Sequence, residues 1–411
     1  MSLSVLVVAH GHPKFSKGGA EIAAYQLFRA LSEREDCAAW LLARQEGSNT
    51  SANQRPLEPM EPGSREFLYH QDSDSFDFSV THPGRLARDL RALLSSLRPD
   101  VVHFHQYLHI GIETFSLVRN CLPGSRILLT LHELLAICPS QGLMVKSSGR
   151  LCEHPDPYEC HRCVPERDPE DFLLRQRYIK SCLSVVDHFI SPSRFLRERY
   201  IDWGLPPEKI LVLENGQPEV QPAPFRSAGR DADVVFGYFG QITPFKGLDI
   251  LVDAFSRLKQ RHRRRARLEI HGGGQERFGA RFDRSMRKAL RRAPEGVLHC
   301  GAYAPEELPT RMAGVDCVVL PSLAWENSPM VIQEAMLHRR PVICSDVGGM
   351  AEKVTDGIDG LHFSVGDADA LARTLQRLIC EPGLIARLRE GIRPPPTITE
   401  TASSCVRIYR G

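Results

Sequence analysis

Short runs of residues that are apolar on both faces alternate along the chain with longer stretches of helical periodicity. Such a pattern predicts buried parallel strands, each followed by a helix that packs back onto the sheet. The runs fall into two series. The first comprises residues 3–9, 38–42, 101–104, 127–131 and 188–190, and closes near 210–213. Residues 216–230 follow, where Pro218, Pro222 and Pro224 interrupt either regular element, so this stretch reads as a linker. The second series comprises 234–239, 267–271, 297–300, 317–320 and 342–344. The predicted fold class is therefore α/β, with two doubly wound, Rossmann-like parallel-sheet domains: an N-terminal domain over 1–215, the linker, a C-terminal domain over 231–392, and a tail over 393–411 that returns to the first domain. Two stretches break the rhythm and read as insertions: 46–82, polar and rich in Ser and Pro, and 138–165, rich in Cys, Pro and charge. No internal repeat at a fixed period of roughly 20 to 50 residues is visible.

Composition narrows the class. At about 150 residues per domain, 411 residues accommodate two or three cores. A hydrophobic content of 42% with 25% charged residues excludes a disordered or fibrous chain. Lys and Arg total 52 against 50 Asp and Glu, so no overall field favours a nucleic-acid partner, and the basic run 261–267 reads as a solvated helix end. The N-terminus lacks the charged start, apolar core and cleavage site of a signal peptide, and no window approaches the roughly 18 apolar residues of a spanning helix. Twelve cysteines without an export signal imply reduced thiols and a cytoplasmic setting. Membrane contact, if there is any, is then peripheral, at the inner face of the cell membrane. Arg85, Arg88 and Arg91 suit an anionic surface, although a solvated helix face also explains them.

In open parallel sheets, ligands bind beyond the carboxyl ends of the strands. The first strand runs into His10-Gly11-His12 and then Lys17-Gly18-Gly19-Ala20-Glu21 at a helix start, where adjacent glycines admit a ligand and unpaired N–H groups attract phosphate. The first strand of the second series runs into Gly240-Gln241-Ile242-Thr243-Pro244-Phe245-Lys246-Gly247, which places a lysine where it can neutralise a diphosphate. After 317–320 comes Trp325-Glu326-Asn327-Ser328-Pro329-Met330-Val331, with Glu334 on the helix that follows. Here two acids eight positions apart can both face a ligand, and the backbone N–H groups of Ser328 to Val331 can point at phosphate. A further loop carries the glycine pair Gly348-Gly349.

These loops resemble those of the retaining glycosyltransferases of family 4, which have the GT-B fold of two facing doubly wound domains. The resemblance spans nearly the whole chain. Its most specific parts are 240–247, the Glu326/Glu334 pair, and Gly348-Gly349 with Asp356-Gly357 and Gly360-Leu361. The resemblance implies that Lys246 binds the donor diphosphate, that Glu334 holds the ribose hydroxyls, and that Glu326 contacts the transferred sugar. It also implies that Gly18 and Gly19 lie near the donor phosphates and that His132 stands near the reacting centre. Where the family often carries an arginine beside the diphosphate, this chain has Gln241. The implied reaction moves a sugar from a UDP- or GDP-sugar to a glycan or lipid-linked acceptor with retention, the leaving diphosphate taking the acceptor's proton. No protein nucleophile and no cofactor are expected for catalysis. A sugar-nucleotide epimerase or phosphorylase of similar fold, or a non-catalytic sugar-nucleotide-binding subunit, are competing readings.

Cys138, Cys152, Cys160 and Cys163 all fall in the second insertion, where little apolar sequence surrounds them. Four thiols in such a setting predict a structural zinc site. His154 and His161 are alternative ligands, and an iron–sulfur cluster or a redox pair are alternative chemistries. His103 and His105 alternate on a strand end, so each is read either as a cleft residue or as a hydrogen-bonded core histidine.

Overall fold

The computed structural model describes residues 2–16, 18–45, 57–71, 73–80, 83–226 and 234–411. The chain divides into two compact units, Met1–Pro218 with Pro396–Gly411, and Glu219–Pro395.

Unit 1 is built on eight strands: β1 (Leu3–Ala9), β2 (Cys37–Arg44), β3 (Leu57–Pro59), β4 (Glu66–Tyr69), β5 (Val101–Phe104), β6 (Arg126–Thr130), β7 (His188–Ser191) and β8 (Ile210–Val212). Their order is β3-β4-β2-β1-β5-β6-β7-β8, parallel except for β3 against β4. β1 pairs with β2 on one side, Leu3 opposite Cys37, and with β5 on the other, Val5 opposite Val101. Connections leave β1 in one direction along the sheet and β5 in the other. The topological switch point, where ligands bind in such sheets, therefore lies beyond the carboxyl ends of β1 and β5.

Unit 2 repeats this plan with six parallel strands: β9 (Val234–Phe239), β10 (Ala266–His271), β11 (Val297–Gly301), β12 (Cys317–Leu320), β13 (Val342–Ser345) and β14 (Gly360–Phe363). The order β11-β10-β9-β12-β13-β14 puts the switch point between β9 and β12. β9, β12 and β13 are buried at every position, as strands covered on both faces must be, while the edge strand β11 is partly exposed.

Three expectations change. Residues 46–56, 72, 81 and 82 of the first expected insertion lie outside the described residues, but its remainder supplies β3 and β4. β4 extends the sheet because Leu68 and Tyr69 are buried beside β2. The described part of the expected linker is tied down. Gln217 bridges to Thr397 in unit 1, whereas the backbone N–H of Ala223 donates to His338 Nδ1 at 3.0 Å and Arg226 pairs with Asp316 at 2.9 Å, both in unit 2. Residues 227–230 of that linker lie outside the described residues. Of the expected tail, residues 393–395 belong to unit 2 and the rest to unit 1, where the helix Ile398–Arg410 buries Ala402, Cys405, Val406 and Tyr409 in the core containing β1 and β2. A capping box of Thr397 and Glu400 starts that helix. Among the described residues no helix is long and apolar enough to cross a membrane. In the helix Pro83–Leu97, Leu86, Leu90 and Leu94 face inward while Arg88 and Arg91 are exposed; the side chain of Arg85 lies outside the described residues.

Candidate functional site

At the switch point of unit 2, backbone hydrogen bonds lock three loops together. The loop after β9 is joined to the loop after β10 by Gly240 N–H to His271 O at 3.1 Å and Ile242 N–H to Gly273 O at 2.9 Å. It is joined to the loop after β12 by Leu323 N–H and Ser322 Oγ, which both donate to Phe245 O, at 2.8 and 3.1 Å. Gly247, with φ +64, opens the helix Leu248–Arg257 in the left-handed region, and a Cβ there would stand 1.9 Å from Pro321 O. Only glycine permits this crossing.

The locked loops fix the charged groups. Lys246 Nζ meets Glu326 Oε1 at 2.6 Å, and Ser322 Oγ donates to the same oxygen at 2.9 Å. Glu326 O accepts the N–H of Gly349 at 2.6 Å. The sequence read Gly348-Gly349 as a pair that lets a ligand approach closely. What it admits is backbone: a Cβ on Gly348 would meet Glu326 O at 2.9 Å, and one on Gly349 would meet Asn327 O at 1.9 Å. The glycine pair thus seats the segment that carries Glu326 and Asn327.

The helix Met330–Leu337 begins at Pro329 with no side-chain cap, and Val331 lies in its first turn. Beside this N-terminus the buried Ser328 Oγ has no hydrogen-bond partner. A helix start without a side-chain cap, beside an unsatisfied buried hydroxyl, is an anion site in waiting. Glu334, half-buried in the second turn, has its carboxyl pushed up to about 7 by desolvation. Gln241 is exposed; its backbone oxygen accepts from Tyr238 Oη at 2.8 Å.

In unit 1, Gly18 precedes the helix Gly19–Ser32, which also lacks a side-chain cap, and Lys17 lies outside the described residues. The carboxylate of Glu21 fills the space beside Gly18: it accepts from Ser16 Oγ at 2.7 Å and lies 3.4 Å from His10 Nε2. His132 follows β6, with Nε2 at 3.0 Å from His105 Nδ1 and the two rings stacked. Burial, reinforced by His10, lowers His132 to about 3. Burial also raises the neighbouring Glu133 to about 7, with a further contribution from Glu21. The two readings of His103 and His105 separate: His103 is locked between Tyr409 Oη at 2.6 Å and Thr130 Oγ1 at 2.7 Å, while His105 holds His132.

Sequence reasoning missed Ser322, Glu133 and the run His271-Gly272-Gly273-Gly274. Three glycines directly after a strand were the available signal for that run. A Cβ on Gly272 would meet Gly240 O at 2.1 Å, so these glycines let neighbouring loops touch. Among the described residues one set of metal-ligating atoms lies mutually within 4.8 Å, that of Glu269, His271 and Cys300. Arg311 donates to His271 Nδ1 at 3.0 Å, which leaves the imidazole proton on Nε2, facing Glu269 Oε2 at 3.3 Å. His271 Nδ1 is thus engaged by Arg311, while its buried Nε2 makes no hydrogen bond.

Comparison with known proteins agrees with this arrangement. The model described as Glycosyltransferase Family 4 matches residues 17–217, and that described as Glycosyl transferases group 1 matches 233–381. The chain belongs to glycosyltransferase family 4. Among relatives of this glycosyltransferase is the lipopolysaccharide 1,2-N-acetylglucosaminetransferase of Salmonella typhimurium, 24% identical over 275 residues that cover 63% of this chain and 69% of the relative. Another is the alpha-D-kanosaminyltransferase of Streptomyces kanamyceticus, 29% identical over 44% of this chain and 47% of that one. Solved structures with the same GT-B fold include Anabaena HepE in complex with UDP and glucose, with a TM-score of 0.68 at 17% identity and 99% coverage of both chains. Sucrose-phosphate synthase of Thermosynechococcus elongatus reaches 0.71 at 19% identity, covering 99% of this chain and 98% of its own.

Proposed function

We propose that this glycosyltransferase moves a hexosyl group, with retention, from a UDP- or GDP-sugar to a glycan or lipid-linked acceptor in polysaccharide or glycoconjugate assembly, in the cytoplasm or at the inner face of the cell membrane. The observation that carries the reading is the joined pair of loops after β9 and β12, which sets Lys246, Glu326, the orphaned Ser328 hydroxyl and an uncapped helix N-terminus at one switch point, with Glu334 one turn further on. The names of the Salmonella and Streptomyces relatives, and the UDP and glucose bound by HepE, support the donor class.

In this reading the diphosphate takes the place of Glu326 as the partner of Lys246 and receives the N–H groups of Ser328, Met330 and Val331. Glu334 accepts from the ribose hydroxyls and Glu326 from the sugar. The bond between the anomeric carbon and the diphosphate oxygen breaks as the acceptor oxygen bonds on the same face, and the acceptor's proton passes to the diphosphate. Positioning and charge stabilisation supply the acceleration. Gln241 leaves the site one positive charge short of the family's common pattern.

A thermal-shift screen of UDP- and GDP-sugars identifies the donor, since a ligand stabilises the fold in proportion to RT ln(1 + [L]/Kd). Transfer from that donor, with the product's anomeric configuration read by NMR, then tests the reaction. Undiminished turnover in both Lys246→Ala and Glu334→Ala overturns the site. Epimer formation, phosphate-dependent cleavage, or binding without turnover would each replace the transferase reading with one of its competitors.

A further inference from the structure

We propose that Cys138, Cys152, Cys160 and Cys163 bind one zinc ion as four thiolates, and that this metal holds residues 138–163 in place on unit 1. The site is independent of the transfer reaction. Its first support is the way the segment folds. The backbone N–H of Gly142 donates to Cys138 O at 3.1 Å. An antiparallel bridge of Val145 with Leu151 then turns the chain back, so that Cys152 N–H reaches Met144 O at 2.7 Å. Asp156 caps the helix Pro157–Cys163 through the N–H groups of Tyr158 and Glu159, and that helix carries Cys160 and Cys163 three positions apart, on one face. Two separate knuckles thus supply two thiols each. None of the four is in a disulfide, all are partly buried, and the Lys146–Glu159 ion pair at 3.1 Å joins the hairpin to the helix that carries Cys160 and Cys163.

A second support is how little apolar surface the segment buries. Between residues 138 and 163 the only buried side chain is Met144. Ordering each residue costs backbone entropy, and burying one methionine offsets little of the total. A cross-link is needed, and four thiols are the groups present to make it.

The third support is charge. Four thiolates around Zn²⁺ carry a net charge of −2. Arg175 is 4% exposed and donates to the carbonyls of Phe76, Leu135 and Ala136, yet among the described residues no carboxylate pairs with it. The carbonyls of Leu135 and Ala136 that it holds lie just before Cys138 in the chain. A buried cation without a counter-ion is costly, and a dianionic metal centre beside it removes that cost. Binding replaces four S–H bonds by four Zn–S bonds and releases four protons, with no change of oxidation state. The sulfurs must also draw together: Zn–S bonds of about 2.3 Å set them roughly 3.8 Å apart, whereas no three of the four lie mutually within 4.8 Å. The thiol contacts that hold them, such as Cys138 Sγ to Ser140 O at 3.8 Å, are weak enough to yield.

The test is metal analysis of the full chain purified under reducing conditions without chelator. One zinc per chain is expected, with loss of that zinc in Cys160→Ser/Cys163→Ser and a cobalt-exchanged form showing the visible bands of a tetrahedral all-sulfur site. Should the double variant fail to fold, zinc release from the wild type on thiol modification replaces it: four thiols blocked per zinc released is the expected ratio. A chain that takes up no zinc when zinc is added, retains it with all four thiols blocked, contains iron and sulfide, or shows Cys138–Cys163 disulfides after anaerobic purification overturns the proposal.

Discussion

At the scale of single residues, Glu334 links titration to ligand. Its folded value of about 7 lies above the ordinary 4.5 because burial penalises the carboxylate. A group raised in this way contributes stability that is complete below 4.5 and lost as pH rises through 7. Glu133 carries the same sign for the same first cause. The melting temperature of the ligand-free protein should therefore fall between pH 6 and pH 8, and Glu133→Gln/Glu334→Gln should flatten the slope. Nucleotide affinity should run the other way, because ribose hydroxyls donate to a carboxylate: below pH 7 it should weaken by up to about tenfold per pH unit in calorimetry. A flat affinity profile from pH 5.5 to 8 would remove Glu334 from the ribose site. Lys246→Ala should lower kcat by about 10² to 10³-fold, the range for a lost charge-stabilising donor; a loss confined to KM would mean that the lysine binds donor and transition state alike. His105 has a positioning role. Its Nε2 is buried without a partner, and an orphaned N–H costs more than an orphaned lone pair, so the ring proton belongs on Nδ1 and is donated to His132 Nε2. His132 then carries its own proton on Nδ1. Long-range ¹H–¹⁵N correlation reads this directly: the Nδ1–H form should dominate in the wild type and become mixed in His105→Phe, whereas an Nε2–H form in the wild type contradicts the assignment.

At the scale of elements, long apolar runs were legible and short half-polar ones were not. β1, β5, β9 and β12 have the bounds that their mainly apolar sequence predicts, because a strand covered on both faces admits few polar residues, here Ser4 and His103. β4, Glu-Phe-Leu-Tyr inside a polar stretch, and β14, Gly-Leu-His-Phe, are only four residues each, too short for an alternating pattern to stand out from loop sequence. The site loops were legible by position, since they follow strands at the switch points, but the bonds between them were not. Nothing in Gly348-Gly349 distinguishes room for a phosphate from room for a neighbouring backbone. Ser322 and Glu133 had no signal, because each takes its place from a partner distant in sequence, Phe245 and Tyr200 respectively. The glycine finding has its own consequence. Gly349→Ala puts a methyl 1.9 Å from Asn327 O, which is backbone and can move only by dislodging Glu326. Denaturant unfolding should register a loss of about 2–4 kcal/mol, with turnover reduced even in the folded fraction. An unchanged midpoint would mean that the two loops separate freely.

At the scale of the whole molecule, the two units differ in how the chain closes them. Unit 2 is a continuous stretch, and its boundaries are held from inside. Buried Arg340 donates to Val315 O and Ala223 O, while Asp316 gathers Arg226, Arg389 and the N–H of Val235. These contacts bring both ends of the stretch onto one network. Unit 1 is discontinuous: its core is completed only when the last helix returns, burying Val406 and Tyr409 and placing Tyr409 Oη on His103. Residues 219–395 expressed alone should therefore fold cooperatively and bind the nucleotide of the donor, since Lys246, Ser328, Met330, Val331 and Glu334 all lie within them. Residues 1–218 alone should not, because removing the tail exposes the apolar face beside Leu27 and Leu41 and deprives the buried His103 of Tyr409, one of its two hydroxyl partners. Adding the peptide 396–411 in trans should restore a cooperative transition to that fragment. Cooperative unfolding of 1–218 without the peptide would show that the tail is an accessory, whereas failure of 219–395 to bind nucleotide while folded would move the nucleotide contacts out of unit 2.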